Sequence, residues 1–270
     1  MTSSENSNSR IAGGATPPPI DESLALLGEL ISIWKSNLPS TLPVLDGTAL
    51  RGVSLMAHVD HAVSTTEAVL TLCEHEKFIQ IVPLVRLVME CAVTAAWLSV
   101  TPGSGDSALF EASRLRRAMM SDVSRLLPAD SGAGLKDIND AIADLGDVQS
   151  DEAKKFETRC RSLAGGDWIY VSYRNLSEFS HAGTLLLDHY IQETPASPEN
   201  PLGFNYVTDE DTTRTQSVLG TCVWMLHIAL TAWDSMIPIE DRTRRLASIA
   251  QNMGFESTVR RRDEPQPEGV

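Results

Sequence analysis

The sequence predicts an all-α protein, a multi-helix bundle with disordered N- and C-terminal tails. Apolar residues recur at helical spacing along most of residues 21–254, and no run alternates β-branched and polar residues as a half-buried strand would. A chain of 270 residues that is 42% hydrophobic can bury one large core. We therefore expect a single helical domain over residues 21–254, with polar, disordered tails at 1–20 and 255–270.

Three helices are predicted in the first hundred residues. The first begins at the candidate N-cap Asp21 and ends before Pro39. After a linker that contains proline and glycine, a long periodic segment predicts the second helix over residues 48–76. The third, over residues 78–101, is apolar on almost every side, so neighbouring helices must cover it all round.

A fourth helix is predicted from the candidate cap Asp106 to Leu126, with one apolar stripe and arginines on the other side. The pattern weakens over residues 129–166. A Gly/Ser turn there precedes a short polar helix near residues 135–148.

The last third of the chain regains a clear helical pattern. A helix is predicted over residues 167–192, where a loop rich in proline and asparagine ends it. Another follows over residues 211–236, and Pro238 separates it from a final amphipathic helix that ends near Gly254.

The formal net charge of -14 disfavours an extended nucleic-acid surface or an anionic membrane as the main partner, because backbone phosphates would be repelled at long range. Any phosphate contact must use a local basic patch. One such segment of the sequence contains Arg114, Arg116, Arg117 and Arg125.

Cysteine usage and the chain ends predict a cytoplasmic protein. The four cysteines are widely scattered with no C-x-x-C pair, which is typical of small buried hydrophobes in a reducing compartment. The first twenty residues lack the hydrophobic segment of a secretory signal. In the apolar run 78–100, Arg86 and Glu90 would each cost several kcal/mol inside a bilayer, so we expect a buried core helix and no membrane partner.

The helix predicted over residues 167–192 carries the candidate site. At about 100° per residue, His181 lies at about -20° and Ser177 at about -60° from Arg174, on a face that is not the main apolar stripe. Arg174 and His181 are then about 10 Å apart, two turns along one face. A histidine can move protons near neutral pH, and an arginine can stabilise charge on a phosphoryl oxygen.

The string Tyr173-Arg174-Asn175, followed by His181 and then Gly183, resembles the R-x(4-6)-H motif of the HEPN superfamily. Its members are helical bundles, many of them dimeric, metal-independent endoribonucleases of bacterial toxin-antitoxin and phage-defence systems. The resemblance implies that Arg174 and His181 are the catalytic pair, supported by Asn175. It also implies an RNA substrate, a homodimer that completes the site, an antitoxin-type partner, and products with 2′,3′-cyclic phosphates.

A second resemblance involves Arg86-x-x-x-Glu90 and the later Leu176-Ser177-x-x-x-His181. This pair of motifs is similar to a group of uncharacterised bacterial helical proteins, and it implies a fold without an activity. Arg86 and Glu90 lie one turn apart and can pair, and Glu90 can accept a hydrogen bond from His181 or Arg174. The alternative function is therefore a non-catalytic helical interaction protein in which Arg86, Glu90, Arg174 and His181 form a structural polar cluster, with Ser177 as a supporting residue.

Metals and cofactors are not expected. His58-x-x-His61 has metal-ligand residue types, but structural zinc sites normally show a second compact ligand pair, which the sequence lacks. Nor does the sequence contain a Gly-rich phosphate loop or a G-x-S-x-G motif.

Overall fold

A computed structural model describes residues 17–36, 38, 49–126, 139–140, 143, 148–181, 187–206 and 212–265. Helices dominate these residues, together with one small antiparallel sheet, so the predicted all-α fold class is confirmed. The helices are α1 (Ile20–Lys35), α2 (Ala49–Glu74), α3 (Val82–Val100), α4 (Ser104–Leu126), α5 (Asp151–Lys154), α6 (Phe156–Arg161), α7 (Gly166–Ser180), α8 (Leu187–Tyr190), α9 (Thr212–Met236) and α10 (Glu240–Met253). The strands are β1 (Ile191–Glu193) and β2 (Phe204–Tyr206).

Helix α3 forms the centre of the bundle and packs chiefly against α2 and α9, with α7 on a further side. All residues from Cys91 to Ser99 are buried. Together with the 3₁₀ turn before it, the segment Ile79–Val100 is long and apolar enough to cross a membrane, yet 72% of its most apolar window is buried inside the structure. This burial confirms the predicted central core helix.

Aromatic and charged side chains fix the outer helices against the core. Trp34 of α1 meets Trp233 of α9 edge-to-face, with ring centroids 5.6 Å apart, and its indole nitrogen donates to Asp60 of α2 at 3.0 Å. Arg242 of α10 is fully buried, and its Nε donates to Oδ1 of Asp234 on α9 at 2.7 Å. Because a buried guanidinium needs a counter-charge, this pair holds α10 in place.

The helix predicted over residues 167–192 is not a single one, because it is interrupted at His181 and residues 191–193 form a strand. Helix α7 ends at Ser180, and His181 adopts an extended backbone with φ -103° and ψ 148°. The hydroxyls of Ser177 and Ser180 donate to carbonyl oxygens four residues earlier, each at 2.7 Å, a pattern that weakens helices. His181 therefore does not share a continuous helical face with Arg174.

A short hairpin follows α8, where the sequence predicts the end of a helix and a loop. In its antiparallel register, Ile191 pairs with Tyr206 and Glu193 pairs with Phe204. The rings of Tyr190 and Tyr206 stack with centroids 5.9 Å apart. Strands of three residues are too short for periodicity to reveal them.

The C-terminal segment differs from the disordered tail predicted over residues 255–270. Residues 255–265 lie along the domain, where Arg261 bonds to Glu152 at 3.0 Å and Arg262 pairs with Asp167. The backbone nitrogen of Arg262 also donates to the carbonyl of Ser162 at 2.9 Å. The composition of this segment is typical of disorder, but its arginines bind carboxylates on α5 and α7, and these ion pairs anchor it. Residues 266–270, the tail residues 1–16 and most of the short helix predicted near 135–148 lie outside the described residues.

The apolar stripe predicted on α4 lies largely in solvent. Only the first turns of this helix, around Phe110 and Glu111, are buried against the bundle. Farther along, Leu115 and Met119 are each 55% exposed. The helical prediction for α4 is confirmed, but its stripe does not contribute to the core.

Candidate functional site

Four polar side chains from α3 and the end of α7 meet at the surface, and we call them the Arg86 cluster: Arg86, Glu90, Tyr173 and His181. Arg86 and Glu90 lie one turn apart on α3, with Nη2 of Arg86 3.3 Å from Oε1 of Glu90. Their side chains are 23% and 38% exposed, so the cluster is open to a ligand from solvent.

Tyr173 joins Arg86 to Glu90 in this cluster. Its hydroxyl oxygen accepts a hydrogen bond from Nη2 of Arg86 at 2.7 Å, and its hydroxyl donates to Oε1 of Glu90 at 3.0 Å. The Arg86 guanidinium also lies over the Tyr173 ring, 4.9 Å from the centroid, a cation–π contact. These contacts hold the guanidinium in one orientation.

His181 completes the cluster from the end of α7. Its Nε2 lies 3.4 Å from Nη1 of Arg86, and the ring is exposed. Because a guanidinium can only donate hydrogen bonds, Nε2 acts as the acceptor here, and the neutral ring carries its proton on Nδ1. A histidine in this tautomer presents an unprotonated nitrogen beside a fixed cation.

The structure brings together only part of the predicted site. Three of the four residues of the predicted structural polar cluster meet, namely Arg86, Glu90 and His181. The fourth, Arg174, is exposed on the surface of α7, as is Asn175. In the part of the chain that the structure describes, Arg174 makes no hydrogen bond or ion pair with His181. Because α7 stops at Ser180, the paired Arg174–His181 face expected from an uninterrupted helix is not formed.

Tyr173 was not given a role by the sequence, although it directly precedes Arg174. Ser177 lies one turn later and donates to the Tyr173 carbonyl oxygen. The spacing did give an indication of a shared role, because Tyr173 precedes Ser177 by four residues and His181 by eight. An uninterrupted helix would place all three on one face. Sequence alone did not show which helix faced it.

A cleft of about 590 Å³ adjoins the Arg86 cluster, and Glu90 and Tyr173 line both. Helices α2, α3, α4, α5 and α6 contribute its other walls. Its polar and aromatic lining includes His58, His61, Glu111, Lys154, Phe156 and Arg159.

Arg159 places a positive charge in the cleft wall. Its Nε and Nη2 donate to the carbonyl oxygens of Glu152 and Ala153 at 3.0 and 2.6 Å, and Nη1 donates to Oγ1 of Thr94 at 2.7 Å. All three acceptors are neutral. Burial lowers the pKa of the Arg159 guanidinium, the result expected for a cation that is partly removed from water.

His58 faces the same cleft as a neutral base. Its Nδ1 lies 2.7 Å from the carbonyl oxygen of Ser54, so Nδ1 carries the proton and Nε2 is left as an acceptor. Burial lowers the pKa of His58 and so favours this neutral form. His61 lies one turn later on α2 and is exposed. Among the described residues, no group of three or more histidine, cysteine or acidic side chains could hold a metal ion.

Comparison with protein families finds one match. Residues 53–198, more than half of the chain, match a family of unknown function, DUF5677. The chain belongs to DUF5677. No curated protein and no solved structure matches it. The DUF5677 match contains the whole Arg86 cluster and every residue of the cleft described above, so both features belong to the part of the chain that defines the family.

Proposed function

We propose that this DUF5677 protein is a metal-independent endoribonuclease in which His181 and Arg86 are the reacting pair. The observation that carries the proposal is the 3.4 Å approach of Nε2 of His181 to Nη1 of Arg86 at the surface. An unprotonated imidazole nitrogen beside a guanidinium is the pair of groups that general base catalysis at a phosphodiester requires.

In the proposed reaction, the ribose 2′-hydroxyl replaces Nη1 of Arg86 as the partner of Nε2 of His181, and Nε2 then takes the hydroxyl proton. The 2′-oxygen attacks the adjacent phosphorus and forms a new O–P bond. The bond from phosphorus to the 5′-oxygen of the next nucleotide breaks. That oxygen takes a proton from water, and His181 returns its own proton to the solvent, so no net proton is gained or lost. The products are a 2′,3′-cyclic phosphate and a 5′-hydroxyl, and no water, metal or cofactor is consumed.

Arg86 supports this reaction by stabilising the negative charge that develops on the phosphoryl oxygens. Tyr173 and Glu90 are positioning residues, since their contacts fix the guanidinium before substrate arrives. The exposed Arg174 lies beside Tyr173 in the chain, and we assign it to binding a neighbouring phosphate. A local group of cations of this kind is needed because the whole chain carries a net charge of -14.

The HEPN-like resemblance belongs to this proposal, with two changes. Arg86 of α3 takes the charge-stabilising role that the motif would give to Arg174, and the pair is formed within one chain. The homodimer and the antitoxin-type partner implied by the resemblance remain parts of the proposal, and the helical fold is compatible with them.

A second candidate function is a non-catalytic interaction protein in which the cluster clamps α3 to α7. The observation that favours it is that Nη1 and Nη2 of Arg86 already bond within the cluster, and its ring contact with Tyr173 adds to the closure. In that case His181 stabilises the packing of α7 on α3, and the protein does not cleave RNA.

The test is incubation of the purified protein with total cellular RNA in EDTA, followed by analysis of fragment ends. We expect fragments with 2′,3′-cyclic phosphates from the parent protein, and loss of cleavage in His181→Ala. His75→Ala is the matched control, since His75 is an exposed histidine just after α2 whose ring, among the described residues, bonds to the Thr71 carbonyl. Absence of cleavage by the parent, or equal cleavage by His181→Ala, would exclude the ribonuclease and leave the clamp.

A further inference from the structure

The cleft beside the Arg86 cluster contains a cation that has no counter-charge at bonding distance. The three hydrogen bonds of Arg159 go to two backbone carbonyls and one hydroxyl. Within the described ranges, no carboxylate oxygen lies within 4.0 Å of its guanidinium nitrogens. A guanidinium has five N–H donors, so two remain for a ligand. The carboxylates of Glu90, Glu111 and Glu152 act on its charge only from beyond this distance. A group with anionic oxygens is the ligand that would satisfy these donors and bring a counter-charge into contact.

Two further cleft residues add hydrogen-bond donors to those of Arg159. Lys154 is exposed on α5, and its only described bond is to the Gln149 side chain at 2.7 Å. His61 is exposed on α2 and can donate or accept. Together with Arg159 they match a phosphate group, which accepts several hydrogen bonds at once.

Two other polar side chains of the cleft, His58 and Glu90, offer hydrogen-bond acceptors. Nε2 of His58 is an acceptor because Nδ1 already donates to Ser54. Oε1 of Glu90 is used by Tyr173 and Arg86, while Oε2 has no hydrogen-bond partner in the described part of the chain. A ligand that offers N–H donors would complete these two groups.

One wall of the cleft is aromatic and apolar. The rings of Phe156 and Tyr173 have centroids 4.2 Å apart, and Leu87 and Leu115 also line the cleft. Such a surface suits a flat ring, because bases stack readily on aromatic side chains.

We infer that the cleft binds one nucleotide unit of RNA, with its phosphate at Arg159, Lys154 and His61 and its base against Phe156. The inference rests on the proposed function, because the shared residues Glu90 and Tyr173 place this nucleotide next to the bond that His181 and Arg86 would cleave. The acceptors His58 and Glu90 recognise an exocyclic amino group. Adenine, cytosine and guanine offer such a group, and uracil does not.

The first test measures binding of the four ribonucleoside 5′-monophosphates to the full chain by isothermal titration calorimetry. We expect binding of AMP, CMP and GMP, and weaker binding of UMP. The double variant His61→Ala/Lys154→Ala should weaken binding about tenfold, equivalent to about 1.4 kcal/mol. Its matched control is His75→Ala/Lys155→Ala, since those two residues are also exposed but do not line the cleft. A dissociation constant that is the same in both double variants, or no binding by the parent, would overturn the inference.

A second measurement shows whether the cleft binds RNA or only free nucleotides. Compared with the cleavage assay, it also tests the inference independently of the proposed function. A 2′-O-methyl dinucleotide, which lacks the attacking hydroxyl, should bind at least as tightly as the monophosphate. A monophosphate that binds while the dinucleotide does not would overturn the assignment to RNA. If nucleotides bind in the cleft but the parent cleaves no RNA, the inference stands and the proposed function falls. If RNA is cleaved equally by both double variants, the proposed function stands and the inference falls.

Discussion

Nη1 of Arg86 lies 3.4 Å from Nε2 of His181, although 95 positions separate the two residues in the chain. One residue lies on the buried central helix α3, and the other lies just beyond the end of α7. The pair therefore depends on how these two helices pack, and perturbing either helix should affect it.

The stability of His181→Ala distinguishes the two candidate functions. Because His181 is exposed, the ribonuclease proposal predicts that its removal changes the free energy of unfolding by no more than about 0.5 kcal/mol. The clamp predicts a loss of about 1 to 3 kcal/mol. Urea denaturation of the parent, His181→Ala and His75→Ala measures this difference. A loss near the upper value, with His75→Ala unchanged, would favour the clamp.

Tyr173→Phe should reduce both stability and catalysis. The variant keeps the ring contacts but removes the hydroxyl that joins Arg86 to Glu90. We expect the free energy of unfolding to fall by about 1 to 2 kcal/mol, since two charged groups lose a hydrogen bond. For cleavage of a short RNA, kcat should fall more than KM rises, because a positioning residue affects the orientation of Arg86. An unchanged kcat in the folded variant would refute this role.

Gly166→Ala should displace the start of α7 and with it Tyr173 and His181. A Cβ at Gly166 would lie 1.7 Å from the carbonyl oxygen of Cys160, so the backbone must shift. We expect a loss of several kcal/mol in the free energy of unfolding, about the cost of overpacking or more. Gly28→Ala in α1 is the control, because nothing lies within 4 Å of the added Cβ. That change should be neutral or stabilise the helix by about 0.5 to 1 kcal/mol. Equal stability of the two variants would contradict the close approach of α7 to Cys160.

His227 should make the fold sensitive to mild acid. Burial lowers its pKa below the ordinary value of 6.5, and the backbone bond to Leu246 opposes this only partly. Below pH 6.5 the unfolded chain therefore binds a proton that the folded chain does not, so stability is complete above this pH and declines as the pH falls below it. The decline between pH 7 and 5 should be smaller in His227→Gln, measured by urea denaturation at each pH. Burial also lowers the pKa of His58, so the free energy of unfolding of His227→Gln should still decline somewhat as the pH falls. Parallel curves for the parent and His227→Gln would contradict this assignment.

The helices of the bundle could be predicted from the sequence because each long apolar pattern has a helical period. The central position of α3 also followed, because a helix that is apolar on all sides must be covered. The end of α7 could not be predicted, because the apolar pattern continues past it. The serine hydroxyls that bond to the helix backbone and the extended conformation of His181 become visible only in the structure. Arg261 and Glu152 show the same limit, because a polar segment looks disordered until the carboxylate that holds it is located.

Within the site, Arg86, Glu90 and His181 could be identified from the sequence. The catalytic pairing predicted His181 beside Arg174, whereas the structure places it beside Arg86. Spacing along one helix gives the faces of that helix and says nothing about which neighbour it packs on. Tyr173 and the cleft residue Arg159 acquire their roles only from tertiary contacts with α3, through Arg86 and Thr94.

The most direct test of the central claim compares RNA cleavage rates of Arg86→Ala and Arg174→Ala in EDTA, with both variants shown to be folded by circular dichroism. Loss of the cation paired with His181 should reduce the rate about 100-fold or more, the usual effect of removing a charge-stabilising donor. Arg174→Ala should retain a rate within about tenfold of the parent, since an exposed phosphate contact affects mainly binding. The opposite order, with Arg174→Ala inactive and Arg86→Ala active, would contradict the pairing of Arg86 with His181 as the reacting groups.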